Sequence, residues 1–114
     1  MLAGKYGLKG YQNFKRVERE GKIFQSDSFG ISIFDRKDQN TSLFGFIVSN
    51  KVSPESTLRN RVKRAMKEAV RFSLPAIRPG CDVVFLTKQK AIKESTDAIM
   101  QEVREALKKV GLTK

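Results

Sequence analysis

The residues of this sequence with the clearest chemistry are six cations that fall within one stretch, from Leu58 to Arg71. The stretch holds a single acid, Glu68, whereas an ordinary solvent-exposed helix mixes charges of both signs three or four residues apart. Its apolar residues recur at helical spacing, so one face can pack on a core while the cations point outward. A surface of cations unbalanced by acids predicts binding of a polyanion. The six cations are Arg59, Arg61, Lys63, Arg64, Lys67 and Arg71.

The composition of the whole chain agrees with a polyanionic partner. The 114 residues carry a net charge of +11 and a sequence pI of about 10.1, which makes nucleic acid the leading candidate. An acidic membrane surface is the alternative, but no apolar segment approaches the roughly 20 residues that span a bilayer, and we predict no membrane partner. With 39% hydrophobic residues, the chain suits one globular domain over residues 1–114.

The residue types that usually carry protein catalysis are scarce. The chain has no histidine, which is the usual general base and a common metal ligand, and one cysteine, Cys81. The acids Asp35, Asp38 and Asp82 show no spacing typical of metal ligands, which disfavours a metal-dependent nuclease built from this chain alone. The lone cysteine and a start without the apolar core of a signal peptide favour the cytoplasm. We therefore predict no catalytic residue and no metal site on the chain.

The first half of the sequence predicts one helix and then strands. Apolar residues three apart predict a short helix from Leu8 to Gly21, with the glycine as its stop. Alternating apolar residues predict strands at Phe29–Phe34 and Phe44–Ser49. Because only the polar segment 35–40 and a few further residues separate them, we expect the two strands to form an antiparallel hairpin. A short edge strand at Ile23–Phe24 is also expected.

The cationic helix has a predicted start and end. Ser53 can cap it, Pro54 suits the first helical position, and Glu55 complements the positive end of the helix dipole. The helix should run to about Phe72 or Ser73, ahead of Pro75.

The remaining elements complete an α+β order. Cys81–Thr87 is nearly all apolar and short, which predicts a strand buried on both faces. A basic loop, Lys88–Lys93, leads to a last helix that begins at Ser95 or Thr96 and stops at Gly111. The predicted order of helix, two or three strands, helix, strand and helix gives helices packed against a small mixed sheet.

The cationic helix also carries a motif. Arg59-Asn60-Arg61, followed by Lys63-Arg64, Lys67-Glu68 and Arg71, resembles the signature of the bacterial ribonuclease P protein component. The resemblance covers roughly residues 8–110 in the order of the family pattern. Its other matches are Leu8, Phe14, Val17, Gly21-Lys22, Phe29, Gly45, Val48-Ser49, Lys51-Val52, Pro79-Gly80, Asp82-Val83-Val84 and Lys88.

The resemblance implies a fold and a function. It implies a two-layer α+β sandwich with a left-handed βαβ crossover, where general sequence rules would favour a right-handed one. It implies a subunit of a ribonucleoprotein endonuclease, whose catalytic RNA uses Mg²⁺ to cleave precursor tRNA and release the 5′ leader. The expected partners are that RNA and precursor tRNA. The protein alone is expected to bind no cofactor and to need no protein partner.

The resemblance assigns two sets of site residues, and the aromatic ones make physical sense because any unpaired base offers a π-face for stacking. From the residues alone, core packing is the better interpretation of Phe14 and Phe29, and only the resemblance makes a place in the cleft about equally well supported. The residues expected to approach the catalytic RNA are Lys51, Arg59, Asn60, Arg61, Lys63, Arg64, Lys67 and Arg71. The residues expected in a cleft for the single-stranded leader are Phe14, Lys15, Arg16, Phe29 and Ser49.

The sequence departs from the family pattern in several places. Asn50 stands where a second lysine is common, and Glu18 and Ser32 stand where aromatic residues are frequent in the cleft. The approach Ser53–Thr57 is one residue longer and lacks a glycine. An alternative that needs no resemblance is a sequence-specific DNA-binding protein that inserts helix 54–72 into a major groove.

Overall fold

The chain folds into three α-helices and a four-stranded sheet in the computed structural model, which describes residues 2–113. This confirms the α+β class. None of the helices in the described part of the chain is long and apolar enough to cross a membrane. In chain order the elements are α1 (Tyr11–Glu20), β1 (Lys22–Gln25), β2 (Phe29–Asp35), β3 (Leu43–Ile47), α2 (Ser56–Ser73), β4 (Cys81–Thr87) and α3 (Thr96–Lys109). Short 3-10 turns lie at Gly4–Tyr6, Leu74–Ala76 and Gln89–Lys93.

The sheet has the strand order β1-β2-β4-β3. Strand β2 pairs antiparallel with β1 and with β4, and β3 pairs parallel with β4. The predicted β2–β3 hairpin is therefore wrong, because β4 lies between the two strands. The predicted edge strand at Ile23–Phe24 is confirmed as part of β1. Helix α2 connects the parallel neighbours β3 and β4 in a βαβ unit, and the left hand that the resemblance implies for this crossover stays a prediction.

Strand alternation sorts the side chains onto two faces of the sheet. We call the helical face the one that carries Phe29 and Ile31 of β2 and Val83 and Phe85 of β4, all in the main core. The open face carries the residues between them, such as Ser32, whose register partner is Val84. Successive side chains on a strand point to opposite faces, so this division extends along every strand.

Helix α2 covers the helical face together with α3. The buried residues of α2 are the apolar ones at three- and four-residue spacing, as the sequence predicts: Val62, Ala65, Met66, Ala69 and Val70. They pack in the same cluster as the buried residues of α3 and the helical face. Fully burying each larger side chain contributes about 1.5–3 kcal/mol, so this packing fixes which face of α2 remains for solvent.

Helix α1 lies on the open face and covers only part of it. Val17 is fully buried and packs with Leu8 and Val84. Towards the β1 edge the open face stays accessible, with Ile23 62% and Leu86 37% exposed. A partly covered sheet face is unusual for a small protein, since it leaves apolar surface in water.

Two helix starts differ from the prediction. Helix α1 begins at Tyr11 and not at Leu8, because the Leu8 N–H donates to the carbonyl of Phe44 at 2.9 Å and extends the sheet instead. Helix α2 begins at Ser56, two residues after Pro54, and Glu55 is the residue before its first turn. The Ser53 hydroxyl does not cap the helix; it accepts from the Glu55 N–H at 3.2 Å within the preceding turn.

The ends of α3 match the prediction. The Ser95 hydroxyl accepts from the Ala98 N–H at 3.1 Å, which satisfies one of the free donors of the first turn. Gly111 ends the helix region with φ of +81°, a conformation that other residues adopt only with strain. Helix α2 ends at Ser73, as predicted.

Gly80, just before β4, occupies a tight turn that other residues would strain. Its φ is +89°, and a Cβ at this position would lie 2.5 Å from the Asp38 carbonyl oxygen. We expect Gly80→Ala to lower the free energy of unfolding by about 3 kcal/mol or more, from backbone strain and overpacking together. Urea unfolding followed by circular dichroism measures this.

The matched control for Gly80→Ala is Gly111→Ala. Gly111 has a similar φ, but nothing lies within 4 Å of its added Cβ, so only the strain of about 1–2 kcal/mol remains. Equal losses for the two variants would contradict the contact with Asp38.

Candidate RNA interface

The outward face of α2 presents cations without counter-charges. Asn60 and Arg64 are exposed, and Lys63 and Lys67 are half-buried. Within residues 2–113, the side chains of Lys63, Arg64 and Lys67 make no hydrogen bond or ion pair. Their charges are therefore available to an anionic partner, as the sequence predicts for this face.

Arg59 and Arg61 use their guanidinium groups inside the protein. Arg59 Nη1 donates to the Ser53 carbonyl at 2.8 Å and so holds the approach to α2. Arg61 donates from Nη1 to the Glu94 carbonyl at 3.0 Å and from Nη2 to the Ile92 carbonyl at 2.8 Å. Each arginine has N–H groups left for RNA, but its side-chain position is set by these carbonyls. That Arg59 and Arg61 contact RNA stays a prediction.

The ends of the predicted RNA surface differ from its middle. Arg71 donates to Glu68 Oε2 at 2.8 Å and lies 4.5 Å from the centroid of the Phe72 ring. Its charge is partly neutralised, so it should attract phosphate less than Arg64 does. Lys51 is exposed in the loop after β3, where its carbonyl accepts from Gln89 Nε2 at 2.8 Å.

A groove joins the cations of α2 to α1. Lys63 and Lys67 line one side of a cavity of about 210 Å³, and Phe14 lines another. Gly4 and Gly7 of the N-terminal segment and Gly45 of β3 also line it, so backbone forms much of its surface. The two predicted RNA-facing surfaces are therefore neighbours, a relation that the sequence does not reveal.

Phe14 owes its position to Gly45. A Cβ on Gly45 would lie 2.5 Å from Cε1 and Cζ of the Phe14 ring. The ring thus occupies space that only glycine leaves free at the start of the open face, and it stays half-buried and not fully covered. That Phe14 contacts the leader stays a prediction.

Phe29 does not belong to the cleft, and this prediction is wrong. It is 1% exposed and packs edge-on against Phe85, with ring centroids 5.6 Å apart. The reason is strand alternation: Phe29 points to the helical face, whereas Gly30 and Ser32 point to the open face. Of the two readings of this residue, core packing is the correct one.

The uncovered part of the open face forms a shallow trough of about 200 Å³. Ile23 and Leu86 flank it, and Gly30 and Ser32 lie between them on β2. Ser32 is 1% exposed, so it forms part of the floor without offering its side chain to solvent. Ile23 and Leu86 are not among the residues that the sequence analysis selects, although the alternation of β4 (Asp82, Val84, Leu86) could have identified Leu86 as a residue of the open face.

Arg16 anchors α1 to the sheet. Its Nη2 donates to Asp82 Oδ2 at 2.9 Å and to Asn13 Oδ1 at 3.2 Å, and the guanidinium lies 5.0 Å from the Phe34 ring centroid. Asp82 is 1% exposed and also accepts from Arg36. A phosphate at Arg16 would have to share it with a buried carboxylate.

The Arg36 side chain holds the loop between β2 and β3 through hydrogen bonds. Its guanidinium binds the Asp38 carboxylate and holds the pKa of Asp38 below its usual range. The hydrogen bond that Arg36 donates to Asp38, with a further one that it donates to Asp82, raises the pKa of Arg36. This loop is therefore fixed by an ion network and not by a hairpin turn.

Lys15 and Ser49 are both accessible. Lys15 Nζ lies 3.7 Å from Glu18 Oε2 and 5.3 Å from the Tyr11 ring centroid. Ser49 is exposed beyond the end of β3, and its carbonyl accepts from the Val52 N–H at 3.0 Å. Their place in a leader cleft stays a prediction.

Sequence comparison decides the family. The sequence model of the family described as Ribonuclease P matches residues 2–111 of this chain. The chain belongs to the ribonuclease P family.

Similar proteins match this chain over nearly its whole length. A "Ribonuclease P protein component" from Synechocystis sp. is 30% identical over 105 residues, which are 92% of this chain and 85% of the relative. One from Clostridioides difficile is 36% identical over 103 residues, 90% of this chain and 85% of the relative.

Solved structures of the family share the fold. The RNase P protein of Staphylococcus aureus superposes with a TM-score of 0.88 at 24% identity, covering 96% of this chain and 98% of that one. The protein of Thermotoga maritima gives 0.80 at 23% identity, over 90% and 96%.

The structure bears on the two alternative functions. A helix-turn-helix needs a helix directly before the recognition helix, but β3 ends at Ile47 and residues 48–55 form a loop ahead of α2. For a metal-dependent nuclease, no group of three or more acidic or cysteine side chains within residues 2–113 is placed to hold a metal ion. Burial raises the pKa of the Cys81 thiol, which keeps it protonated and unreactive.

The geometry distinguishes Arg61 from Arg64. We expect Arg61→Ala to lower the free energy of unfolding by about 2–3 kcal/mol, because two carbonyls at the entrance of α3 lose a charged donor. Arg64→Ala should change stability by less than about 0.5 kcal/mol. It should instead reduce the salt dependence of RNA binding by about one phosphate contact. Thermal unfolding and RNA titrations at several salt concentrations measure both quantities, and equal stability of the two variants would contradict the role of Arg61.

Proposed function

We propose that this chain is the protein subunit of ribonuclease P, that it binds the catalytic RNA through α2, and that it holds the 5′ leader of precursor tRNA on the open face. The observation that carries the proposal is the set of unpaired cations on α2, at the positions of the family signature. Among the described residues, Lys63, Arg64 and Lys67 lie within two turns of one helix and make no hydrogen bond or ion pair.

Helix α2 suits a structured RNA. Lys63, Arg64 and Lys67 can each neutralise a phosphate and release counterions, which gives affinity without reading sequence. Asn60, exposed on the same face, can donate to and accept from a phosphate or a 2′-hydroxyl. The helix is held by packing on α3 and the sheet, so it offers these groups at fixed spacing.

The open face suits a single strand. Phe14 offers part of its ring to an unpaired base, and stacking of this kind tolerates any base. The trough between Ile23 and Leu86 offers an apolar surface on which a second base can lie. A duplex cannot place a base there, because its bases stay stacked inside the helix.

In this proposal the catalytic RNA, and not the protein, cleaves precursor tRNA. We expect Mg²⁺ to bind to the catalytic RNA, and the protein to raise the population of the productive complex by neutralising phosphates and holding the leader. This requires a shared compartment with precursor tRNA, which we propose is the cytoplasm.

An assay of precursor-tRNA cleavage at low Mg²⁺ tests the proposal. The cognate catalytic RNA should cleave faster with the protein than without it, since phosphate neutralisation replaces part of the need for metal ions. A variant with Lys63→Gln, Arg64→Gln and Lys67→Gln should lose most of the stimulation. The control removes three exposed cations outside α2, with Arg19→Gln, Lys37→Gln and Lys108→Gln, and should keep it. Absence of stimulation by the unmodified protein would refute the proposed function.

Leader binding has its own test in Phe14→Ala. Loss of one stacking contact, worth about 1–3 kcal/mol, should weaken binding of precursor tRNA to the ribonucleoprotein and leave binding of mature tRNA unchanged. Phe72→Ala is the matched control, because Phe72 is 58% exposed but lies on α2. If Phe14→Ala affected both tRNAs equally, the leader would not lie at Phe14.

A further inference from the structure

Another cavity lies at the β1 edge of the sheet. It is a cavity of about 440 Å³, within the range of small-ligand sites. It has no lining residue from α2, it shares only Ile23 with the trough, and it lies at the opposite edge of the sheet from β3. It is lined by Glu20, Lys22, Ile23, Phe24, Ile33, Phe34, Asp35, Arg78, Lys109 and Val110.

The groove exists because α3 ends before it covers β1 and β2. Phe24 and Ile33 belong to the helical face but stay only partly buried. Helix α3 stops at Lys109, and Gly111, with φ of +81°, turns the chain back so that the Leu112 carbonyl accepts from the Arg78 N–H at 2.9 Å. An aromatic ring and aliphatic side chains are thus left as the floor of an open groove.

Cations from three separate elements converge on this floor. Lys22 comes from β1, Arg78 from the segment before β4, and Lys109 from the last turn of α3. Neither Lys22 nor Lys109 has an ion-pair partner among the described residues. Arg78 lies 3.7 Å from Asp35 with both side chains about half exposed, which is a weak pair that an incoming anion can replace.

We propose that this groove binds an unpaired nucleotide of the RNA partner, with the base on Phe24, Ile33 and Val110 and the phosphate at Lys22 and Lys109. A flat aromatic group that carries a negative charge matches both the apolar floor and the cations. A base within a duplex cannot reach the floor, so the nucleotide is single-stranded. Glu20 opposes a phosphate, which makes the sign of its effect a test of the ligand's charge.

The first arm of the test uses the protein alone with AMP and with adenosine as probes. In a titration of ¹⁵N-labelled protein, AMP should shift the amide signals of Phe24, Ile33 and Val110, and adenosine should bind more weakly. Lys109→Glu should weaken AMP binding by about tenfold, the scale of one charge-assisted contact. Glu20→Gln should strengthen it.

Lys108→Glu is the matched control. Lys108 is exposed on the same helix turn and does not line the groove, so the same change of charge there should alter AMP affinity by less than about twofold. Equal losses for Lys108→Glu and Lys109→Glu would reduce the effect to general electrostatics and overturn the proposal. So would a loss of AMP affinity with Glu20→Gln, because a carboxylate near the bound phosphate should oppose binding and not support it.

The second arm identifies the source of the nucleotide. Lys109→Glu should weaken binding to the catalytic RNA or to precursor tRNA more than Lys108→Glu does. If only AMP binding changed, the site would take free nucleotides, and the RNA assignment would be wrong. Neither arm depends on α2 or Phe14, so their failure would leave the proposed function standing.

Discussion

The parallel pairing of β3 with β4 is the constraint on which the rest of the structure depends. Parallel neighbours cannot be joined by a tight turn and need a crossover, which residues 48–80 provide with α2 at its centre. The crossover must pack on the sheet, so the apolar stripe of α2 turns inward and its cations turn outward. A helix that was free at one end could not present its charges at fixed spacing. The outward cationic face of α2 thus follows from the way the crossover between β3 and β4 packs on the sheet.

A buried carboxylate organises the other side of the sheet. Asp82 on β4 accepts from Arg16 of α1 and from Arg36 beside the end of β2, and it is almost fully buried. A buried charge is tolerated only when it is paired and hydrogen-bonded, so Asp82 fixes Arg16, which holds α1, and Arg36, which holds the loop after β2. In a chain of net charge +11, some cations therefore stabilise the fold, whereas others remain unpaired. Arg61, bound to two carbonyls, has a structural role on the helix that also carries the unpaired Lys63, Arg64 and Lys67.

The sequence predicts what local chemistry determines. The stripe of α2, the Ser95 cap and the Gly111 stop each depend on residues within a few positions, and all three are found. The partner of β2 could not be predicted, because the competing strands, Leu43–Ile47 and Cys81–Thr87, are both apolar and the pairing is decided by tertiary packing. The error over Phe29 has the same origin: alternation shows that Phe29 and Ser32 differ in face, but only the position of the helices tells which face is covered.

The packing of the Phe14 ring against Gly45 affects the free energy with which a base would stack on that ring. A side chain that is free to rotate in the unbound protein loses that freedom when a base stacks on it, and the loss reduces affinity. The ring of Phe14 is already confined by the backbone beneath it, so its entropy is lost during folding and not during association. Because Gly45 has no Cβ, the Phe14 ring is held in place before any base stacks on it. Affinity for an arbitrary single strand can then come from a partly exposed ring without a larger aromatic cluster.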